Sequence, residues 1–264
     1  MKTALLISTY NWPEALELVL KSILLQTKLP DEIIIADDGS NENTKFIVNE
    51  FEQKSDIPIY HIWQEDIGFR KSKILNKAIA QTSTDYIIQI DGDCILQENF
   101  IKNHLNEAQK GVYLYGSRVN ILPDFVPDIF SNKKIIFSFF SKEIKNRTRN
   151  LYFPFLSKFY KKHTCISKNF RGCNVSYWRK DFIAINGYNE DFEGWGREDS
   201  DLVIRMGNNG VRAKRLRYAG ILFHIYHKVN SKEKLALNNK IQDETVSQKI
   251  IGISNGVNKY LNPI

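Results

Sequence analysis

The sequence lacks the features that would place it in several common classes of protein. No run of uncharged apolar residues reaches the ~18–20 residues of a membrane-spanning helix, and the N-terminus has no signal-peptide pattern. The three cysteines, Cys94, Cys165 and Cys173, have no CxxC spacing, which argues against a disulfide framework or a zinc site. A GxGxxG motif and a P-loop motif are also absent, so we expect neither a dinucleotide cofactor nor a P-loop phosphate site. These absences predict a globular, cytoplasmic protein with free thiols.

Positive charge is concentrated in one segment of the chain. Residues 131–171 carry eleven basic residues and one acidic residue, Glu143, so this segment has a net charge of +10 and the remaining residues −3, against a total of +7. The same segment contains the aromatic runs IIFSFF and LYFPF. Such a pattern favours peripheral contact with an anionic membrane over contact with nucleic acid. A surface insertion that packs its aromatic residues on the core is an equally weighted alternative.

Short apolar runs alternate with helical patterns in the first hundred residues. Apolar runs rich in Ile predict strands buried on both faces of a parallel sheet, over residues 4–8, 32–36, 57–62 and 86–90. Helical spacing between them predicts helices over residues 13–26, 42–54 and 69–81, the first opening with Pro13. The alternation predicts an α/β fold with a mostly parallel sheet flanked by helices.

Polar residues follow each of these predicted strands. The four clusters are Ser8-Thr9-Tyr10-Asn11, Asp37-Asp38-Gly39-Ser40, Gln64-Glu65-Asp66 and Asp91-Gly92-Asp93. Each cluster alone is typical of a turn, but ligands of parallel sheets bind beyond the carboxyl ends of the strands, where the four clusters would meet. Because carboxylate oxygens are ligands that Mg²⁺ and Mn²⁺ prefer, the Asp91-Gly92-Asp93 stretch is a candidate site for a metal-bound diphosphate.

These motifs, in this order, resemble the family 2 glycosyltransferases, which are inverting enzymes of the GT-A fold. The first half carries the stretches STYNWPEALELVLKSILLQT, DEIIIADDGS, QEDIGFRKSKILNKAI and the DxD motif Asp91-Gly92-Asp93. The second half, RGCNVSYWRKDFIAINGYNEDFEGWGREDSDLVIRM followed by FHIYH, is similar to chondroitin-polymerase-like and galactosyltransferase C-terminal modules.

The resemblance covers residues 3–228 and implies how the chain is divided. It implies a GT-A domain over residues 1–228, with a single mixed, mostly parallel sheet. A Rossmann-like nucleotide-sugar-binding half would span residues 1–95 and an acceptor half residues 96–228. The basic aromatic insert, at about 129–168, and a helical tail, at 229–264, are not matched by the resemblance.

The resemblance also implies which residues bind the donor and the metal. The residues expected to hold a UDP-sugar are Thr9, Tyr10, Asp38, Asp66, Arg70, Asn76, Asp91 and Gly92. Asp93 would coordinate Mn²⁺ or Mg²⁺ together with a histidine of FHIYH. His224 is favoured over His227 as that ligand because it directly follows the apolar run GILF.

The GWGREDSDL stretch is expected to bind the acceptor. Trp195 offers an aromatic face to a sugar ring, Gly196 allows a sharp turn, and Glu198 would bind an acceptor hydroxyl. Asp199 is the expected general base that removes the acceptor's proton. The alternative is that both acids only stabilise the N-terminus of a helix that continues through LVIRM.

Together, these features predict a metal-dependent inverting hexosyl- or N-acetylhexosaminyltransferase. The expected substrates are a UDP-sugar and a glycan or lipid-linked glycan, in the synthesis of bacterial surface polysaccharide or lipopolysaccharide. The basic aromatic segment would hold the enzyme at the inner face of the membrane. Two alternatives are an NDP-sugar nucleotidyltransferase, which should have a Gly-rich basic loop that STYNWPEA lacks, and a non-catalytic membrane-binding module.

Overall fold

The computed structural model describes residues 1–164, 170–228 and 231–261. Cys165 and Lys168, which belong to the predicted thiols and the predicted basic segment, lie outside the described residues. The strands are β1 (Thr3–Thr9), β2 (Glu32–Asp37), β3 (Ile59–Trp63), β4 (Tyr86–Asp91), β5 (Cys94–Leu96), β6 (Val112–Tyr115), β7 (Arg118–Ile121), β8 (Ile144–Lys145), β9 (Asn174–Trp178), β10 (Arg212–Arg215) and β11 (Leu222–His224). The helices are α1 (Pro13–Leu24), α2 (Glu42–Glu52), α3 (Lys71–Gln81), α4 (Phe100–Glu107), α5 (Val126–Ser131), α6 (Pro154–Ser157), α7 (Arg179–Ala184), α8 (Glu198–Asn208) and α9 (Leu235–Ser247).

The central sheet is mixed and mostly parallel, as predicted. Its seven strands have the order β10-β6-β9-β4-β1-β2-β3. Strand β1 pairs in parallel with β2 and β4, and β2 pairs in parallel with β3, whereas β9 runs antiparallel to both β4 and β6. The four predicted strands are therefore neighbours whose carboxyl ends meet at one edge of the sheet.

A second sheet, of four strands in the order β5-β11-β7-β8, corrects the prediction of a single sheet. Its strands are only two to four residues long, which is too short for hydrophobic alternation to appear in the sequence. Val119, Ile121 and Phe223 of this sheet pack with Ala15 and Leu18 of α1 in a separate apolar cluster. This cluster holds the second sheet next to the carboxyl ends of β1 and β4.

The helices cover both faces of the central sheet. Leu16, Val19 and Ile23 of α1 are fully buried on one face. On the other face α3 buries its predicted apolar residues, Ile74, Leu75, Ala78 and Ile79. Helix α1 begins at Pro13, as the sequence predicts. Burial of its apolar face, rather than helix propensity alone, stabilises it.

The basic segment and the C-terminal residues attach to this domain in different ways. Phe137 is buried, whereas Phe140, Phe155 and Phe159 are exposed, so the segment packs only part of its aromatic side chains on the core. The C-terminal helix α9 packs against α8, and Val257 beyond it is fully buried in the main core. Within the described ranges, no helix has the length and apolar character needed to cross a membrane. Cys94 and Cys173 are buried free thiols, as predicted.

Candidate functional site

A large cavity opens where the carboxyl ends of β1, β2 and β4 face the second sheet. Its volume is about 1110 Å³, which is large enough for a ligand bigger than a typical drug molecule. The central sheet contributes Thr9, Tyr10, Asp38 and the 91–93 stretch to one wall. The other walls come from the second sheet, from the 194–198 loop and from residues that follow β11. Three of the four predicted polar clusters therefore contribute side chains to the lining.

Asp91 is held by an ion pair that the sequence did not reveal. Lys71, the first residue of α3, places Nζ 2.5 Å from Asp91 Oδ1, and Ser8 Oγ donates to the same oxygen at 2.8 Å. Burial raises the pKa of Asp91, but Lys71 and the Ser8 hydrogen bond outweigh burial and leave the pKa lowered. Burial opposes the charge of Lys71, but Asp91 and Glu198 raise its pKa above the ordinary value. Asp91 is thus an anion and Lys71 a cation, and both line the cavity.

Asp93 meets two histidines in a cluster suited to a divalent cation. His224 Nε2 lies 3.4 Å and His227 Nε2 3.3 Å from Asp93 Oδ2, and ligand atoms of the three residues all lie within 4.8 Å of one another. Burial, partly offset by Asp93, lowers the pKa of His224, so its ring is neutral and has a lone pair for a metal. One carboxylate and two imidazoles fit Mn²⁺ better than Mg²⁺, which prefers oxygen ligands. The sequence favoured His224 over His227, and the structure brings both to Asp93.

Asp38 lies in a cradle formed by the loop before α3. Gln64 Nε2 donates to Asp38 Oδ1 at 2.6 Å, and the backbone N–H of Arg70 donates to Oδ2 at 2.8 Å. Burial raises the pKa of Asp38 despite these donors. Asp66 reaches the cavity indirectly, through the hydroxyl of Tyr10, which donates to Asp66 Oδ2 at 2.8 Å.

Two predicted donor-binding side chains point away from the cavity. Asn76 is fully buried, and its amide bonds the backbone N–H and C=O of Tyr188 and the carboxylate of Glu190, at 2.8–2.9 Å. The Arg70 guanidinium donates to the Glu65 carbonyl at 2.5 Å, and Arg70 contributes only its backbone to the Asp38 cradle. The resemblance implies that both residues contact the donor, but it does not show which way their side chains turn. The prediction for Asn76 is therefore wrong in this structure, because its side chain joins α3 to the 188–190 loop.

The GWGREDSDL stretch forms a sharp loop and the start of α8, as predicted. Gly196 has φ +106°, a conformation that L side chains rarely adopt, and its N–H donates to Glu198 Oε2 at 3.1 Å. Trp195 is 37% exposed and lines the cavity with Glu198. Gly196 therefore orients Glu198 rather than contacting the cavity itself.

The adjacent acids Glu198 and Asp199 have different surroundings. Burial and the charge of Asp199 raise the pKa of Glu198 to about 7. Asp199 is not among the cavity-lining residues of the described chain; its Oδ2 accepts from the Gly172 N–H at 2.8 Å and its Oδ1 from the Ser200 N–H at 2.7 Å. A side chain at position 172 would clash with Asp199, since a Cβ there would lie 2.7 Å from Oδ2. The sequence pattern finds the acidic pair but not which member faces the cavity.

The fold and this cavity define a protein of the GT-A class, and comparisons with known proteins assign the family. Residues 4–170 match the model described as "Glycosyl transferase family 2", and residues 155–228 match the model described as "N-terminal domain of galactosyltransferase". The chain therefore belongs to glycosyl transferase family 2, which confirms the resemblance inferred from its motifs.

Several curated proteins are similar to this chain. A chondroitin synthase of Pasteurella multocida is 24% identical over 78% of this chain and 23% of its own length. A validoxylamine A glucosyltransferase of Streptomyces hygroscopicus is 25% identical over 79% of this chain and 48% of its own length. The chain thus spans about a quarter to a half of the length of these relatives.

Solved structures show the same fold. The crystal structure of S. aureus TarS has a TM-score of 0.64 and 14% identity, and covers 93% of this chain and 40% of its own. The mannosyltransferase PcManGT of Pyrobaculum calidifontis, solved with GDP-Man and Mn²⁺, has a TM-score of 0.63 and 18% identity, and covers 94% of this chain and 64% of its own. The predicted GT-A fold is confirmed.

Proposed function

We propose that this chain is a metal-dependent inverting glycosyltransferase that transfers a hexose or N-acetylhexosamine from a UDP-sugar to a glycan or lipid-linked glycan. The observation that carries the proposal is the meeting, in one cavity, of the Asp93–His224–His227 cluster with the Asp38 cradle and the Glu198 carboxylate. A relative of the same fold is solved with UDP and another with GDP-Man and Mn²⁺, which supports a nucleotide-sugar donor and a metal.

The donor wall would be built from the carboxyl ends of β1, β2 and β4. Asp38 accepts hydrogen bonds from Gln64 and Arg70 and would contact the uracil or the ribose, with Thr9, Tyr10 and Gly92 forming the floor. A bound divalent cation would neutralise the charge that develops on the departing diphosphate. Asp93, His224 and His227 would hold it, and the Lys71–Asp91 ion pair lines the same cavity.

The acidic pair at the start of α8 would bind the acceptor and remove its proton. Glu198 faces the cavity, and a pKa of about 7 suits a general base at neutral pH. Asp199, the base expected from the family motif, has both oxygens occupied by backbone N–H groups in the described conformation. We therefore propose that one of these two carboxylates removes the acceptor's proton. Matched variants of both residues identify which one.

The test is UDP release from a panel of UDP-sugars by the full chain with Mn²⁺. We expect slow hydrolysis with one sugar, and faster release with a glycan acceptor. The release should be abolished by EDTA and by Asp93→Ala, whereas Asp56→Ala, an exposed aspartate outside the cavity lining, should retain it. Metal-independent release, or equal loss in both variants, would contradict the proposal.

Variants of the acidic pair identify the base. Glu198→Gln and Asp199→Asn should each lower kcat, by about 10² to 10⁴-fold for the member that acts as the base. The base variant should also lose the acidic limb of the pH–activity profile, which the other variant keeps. Full activity in both variants would exclude the pair from proton removal.

The proposal also covers the product of the enzyme and its place in the cell. Chondroitin synthases and poly-beta-1,6-N-acetyl-D-glucosamine synthases are among the proteins similar to this chain, which supports a surface polysaccharide or lipopolysaccharide as the product. We propose that the basic aromatic segment, residues 131–171, holds the enzyme at the anionic inner face of the membrane. Its support is the exposure of Ile136, Phe140 and Phe159 among basic residues.

A further inference from the structure

Four arginines gather where the second sheet meets β10, the edge strand of the central sheet: Arg118 begins β7, Arg149 follows β8, and Arg215 and Arg217 lie at and just beyond the end of β10. Arg149 Nη1 donates to the carbonyl of Arg118 at 3.0 Å, and Arg217 Nη2 donates to the carbonyl of Thr148 at 3.2 Å. Arg215 Nη2 donates to Ser117 Oγ at 3.0 Å. Each of these hydrogen bonds is accepted either by another of the arginines or by the residue that precedes one of them in the chain. We call this group the arginine cluster; its members are Arg118, Arg149, Arg215 and Arg217.

The cluster has an excess of positive charge. Within residues 1–164, 170–228 and 231–261, none of its four arginines forms an ion pair with a carboxylate. All four are partly buried, and Arg215 Nε is a buried donor without a hydrogen-bond partner. Burial and the charges of Arg215, Arg217 and Arg118 lower the pKa of Arg149. Like charges held together without an acid are costly unless an anion binds among them.

One member of the arginine cluster lines the cavity. Arg118 lines the cavity, as does Lys145 of the neighbouring strand β8. Strand β7, which begins at Arg118, pairs with β11, so that Asn120 lies opposite His224 of the metal cluster. The cluster thus starts beside the metal cluster, at Arg118 of the second sheet, and leads away from it to the end of β10, the edge strand of the central sheet.

This position differs from that of the donor wall. The proposed nucleotide contacts Thr9, Tyr10 and Asp38 lie on the central sheet, whereas Arg118 and Lys145 belong to the second sheet. In the described chain, Arg149, Arg215 and Arg217 lie outside the cavity lining, so the cluster extends beyond the space that would hold the nucleotide. A ligand that touches both the cavity and these arginines must extend out of the cavity past Arg118, towards the end of β10.

Building on the proposed function, we propose that the arginine cluster binds an anionic group, a phosphate or a carboxylate, carried by the acceptor. Guanidinium groups form paired, charge-assisted hydrogen bonds with either anion. The enzyme would then favour an acceptor that carries negative charge beside the hydroxyl to be glycosylated, and the cluster would fix that hydroxyl relative to Glu198 and the metal cluster.

The test measures binding of small saccharides to the full chain with its donor site filled by UDP and Mn²⁺. The probes are glucose 6-phosphate, glucuronate and, as the neutral reference, glucose, followed by calorimetry or by protein NMR. We expect one or both anionic probes to bind at least about tenfold more tightly than glucose. Preference for glucose 6-phosphate assigns the site to a phosphate, and preference for glucuronate assigns it to a uronic acid.

Variants locate the binding. Arg149→Gln and Arg215→Gln should each weaken the anionic probe by about five- to tenfold, while glucose is unaffected. Arg212→Gln, an exposed arginine on the same strand as Arg215, is the matched control and should bind as the parent does. If thermal melting shows that Arg215→Gln fails to fold, Arg217→Gln replaces it.

Three outcomes overturn the proposal. In the first, the anionic probes bind no better than glucose, or the cluster variants bind them like the Arg212 control. In the second, the same variants weaken UDP instead, which would assign the cluster to the donor diphosphate. In the third, vesicles of phosphatidylglycerol bind to the cluster and displace the saccharide probes, which would assign it to the membrane. Failure of the proposed function would instead be seen as absent UDP-sugar hydrolysis with anion binding intact.

Discussion

Glu198 is a carboxyl group whose surroundings oppose its charge. Burial and Asp199 raise its pKa from 4.5 to about 7, although Lys71 acts in the opposite direction. A carboxyl group with a raised folded-state pKa binds its proton more tightly in the folded protein, so it favours folding at low pH. That contribution is lost as the pH rises from about 4.5 to about 7. The cavity therefore holds this group at a cost in stability at neutral pH.

We expect Glu198→Gln to stabilise the metal-free protein at high pH. The amide keeps an oxygen that can accept from the Gly196 N–H but carries no buried charge. Relative to the parent, its free energy of unfolding should be higher by about 1–3 kcal/mol at about pH 8 and nearly equal at about pH 4. Urea unfolding at both pH values, in EDTA, measures the difference. A parent whose stability relative to the variant does not fall with rising pH would contradict the raised pKa.

His227 is a candidate metal ligand, which the sequence ranked below His224. Its Nε2 lies as close to Asp93 as that of His224 does, so loss of either ring should weaken Mn²⁺ binding. We expect His224→Ala and His227→Ala each to reduce Mn²⁺ affinity by at least about tenfold, as measured by electron paramagnetic resonance of the free ion. His61→Asn, a histidine outside the cavity lining, is the control. Unchanged affinity in His227→Ala would leave Asp93 and His224 as the ligand pair.

At the scale of elements, helix α9 holds the 193–197 loop in place. Asn238 is fully buried, and its Nδ2 donates to the carbonyls of Glu193 and Gly196 at 3.1 and 2.9 Å. Arg197, with φ +81°, donates from Nε to Asn239 Oδ1 at 2.7 Å. A non-glycine residue in this conformation is strained, so contacts from α9 must stabilise the loop. The C-terminal helix thus positions Trp195 and Glu198 without lining the cavity itself.

We expect Asn238→Ala to impair acceptor use more than donor use. Losing two hydrogen bonds to a strained loop should raise the acceptor KM or lower kcat by about tenfold, while UDP affinity stays the same because the donor wall lies on the central sheet. Lys240→Ala, an exposed residue of the same helix, is the control. Steady-state kinetics with an acceptor and UDP calorimetry separate the two effects. Equal loss of both would point to a general loss of folding.

Some elements of the fold could be predicted from the sequence, and others could not. Strands β1 to β4 appear as apolar runs of five or more residues and helices α1 to α3 show helical periodicity, so these elements and their order could be predicted. Strands β5, β7, β8 and β11 are too short to show a pattern, although β7, β8 and β11 contribute residues to the cavity lining. Lys71 and Asn76 both lie on α3, but only packing against the 188–190 loop decides that Lys71 faces Asp91 while Asn76 is buried. Contacts between distant parts of the chain, such as Asn238 with the 193–196 loop, leave no local signal.

At the scale of the whole molecule, charge is separated in a way that would orient the protein at a surface. Residues 131–171 carry a net charge of +10, whereas the rest of the chain carries −3. An anionic membrane would attract this segment and repel the rest of the chain. Apolar side chains are exposed in the same segment, with Ile136 72%, Phe140 83% and Phe159 77% exposed. Attraction brings the segment to the membrane, and insertion of these side chains would stabilise the contact.

We therefore expect the full chain to float with vesicles that contain phosphatidylglycerol and to remain unbound with neutral phosphatidylcholine vesicles. Because burial of a Phe side chain contributes about 1.5–3 kcal/mol, Phe140→Ser should weaken the anionic-vesicle binding by roughly tenfold or more. Phe46→Ser, which changes a Phe on α2 that is 63% exposed, is the matched control, since it removes an equally apolar side chain outside the basic segment. High salt should weaken binding of the parent, because it screens the attraction of the basic residues. If the protein ignores anionic vesicles, or if the two serine variants lose equal affinity, the basic aromatic segment has no special role at the membrane, and its exposed side chains need another partner.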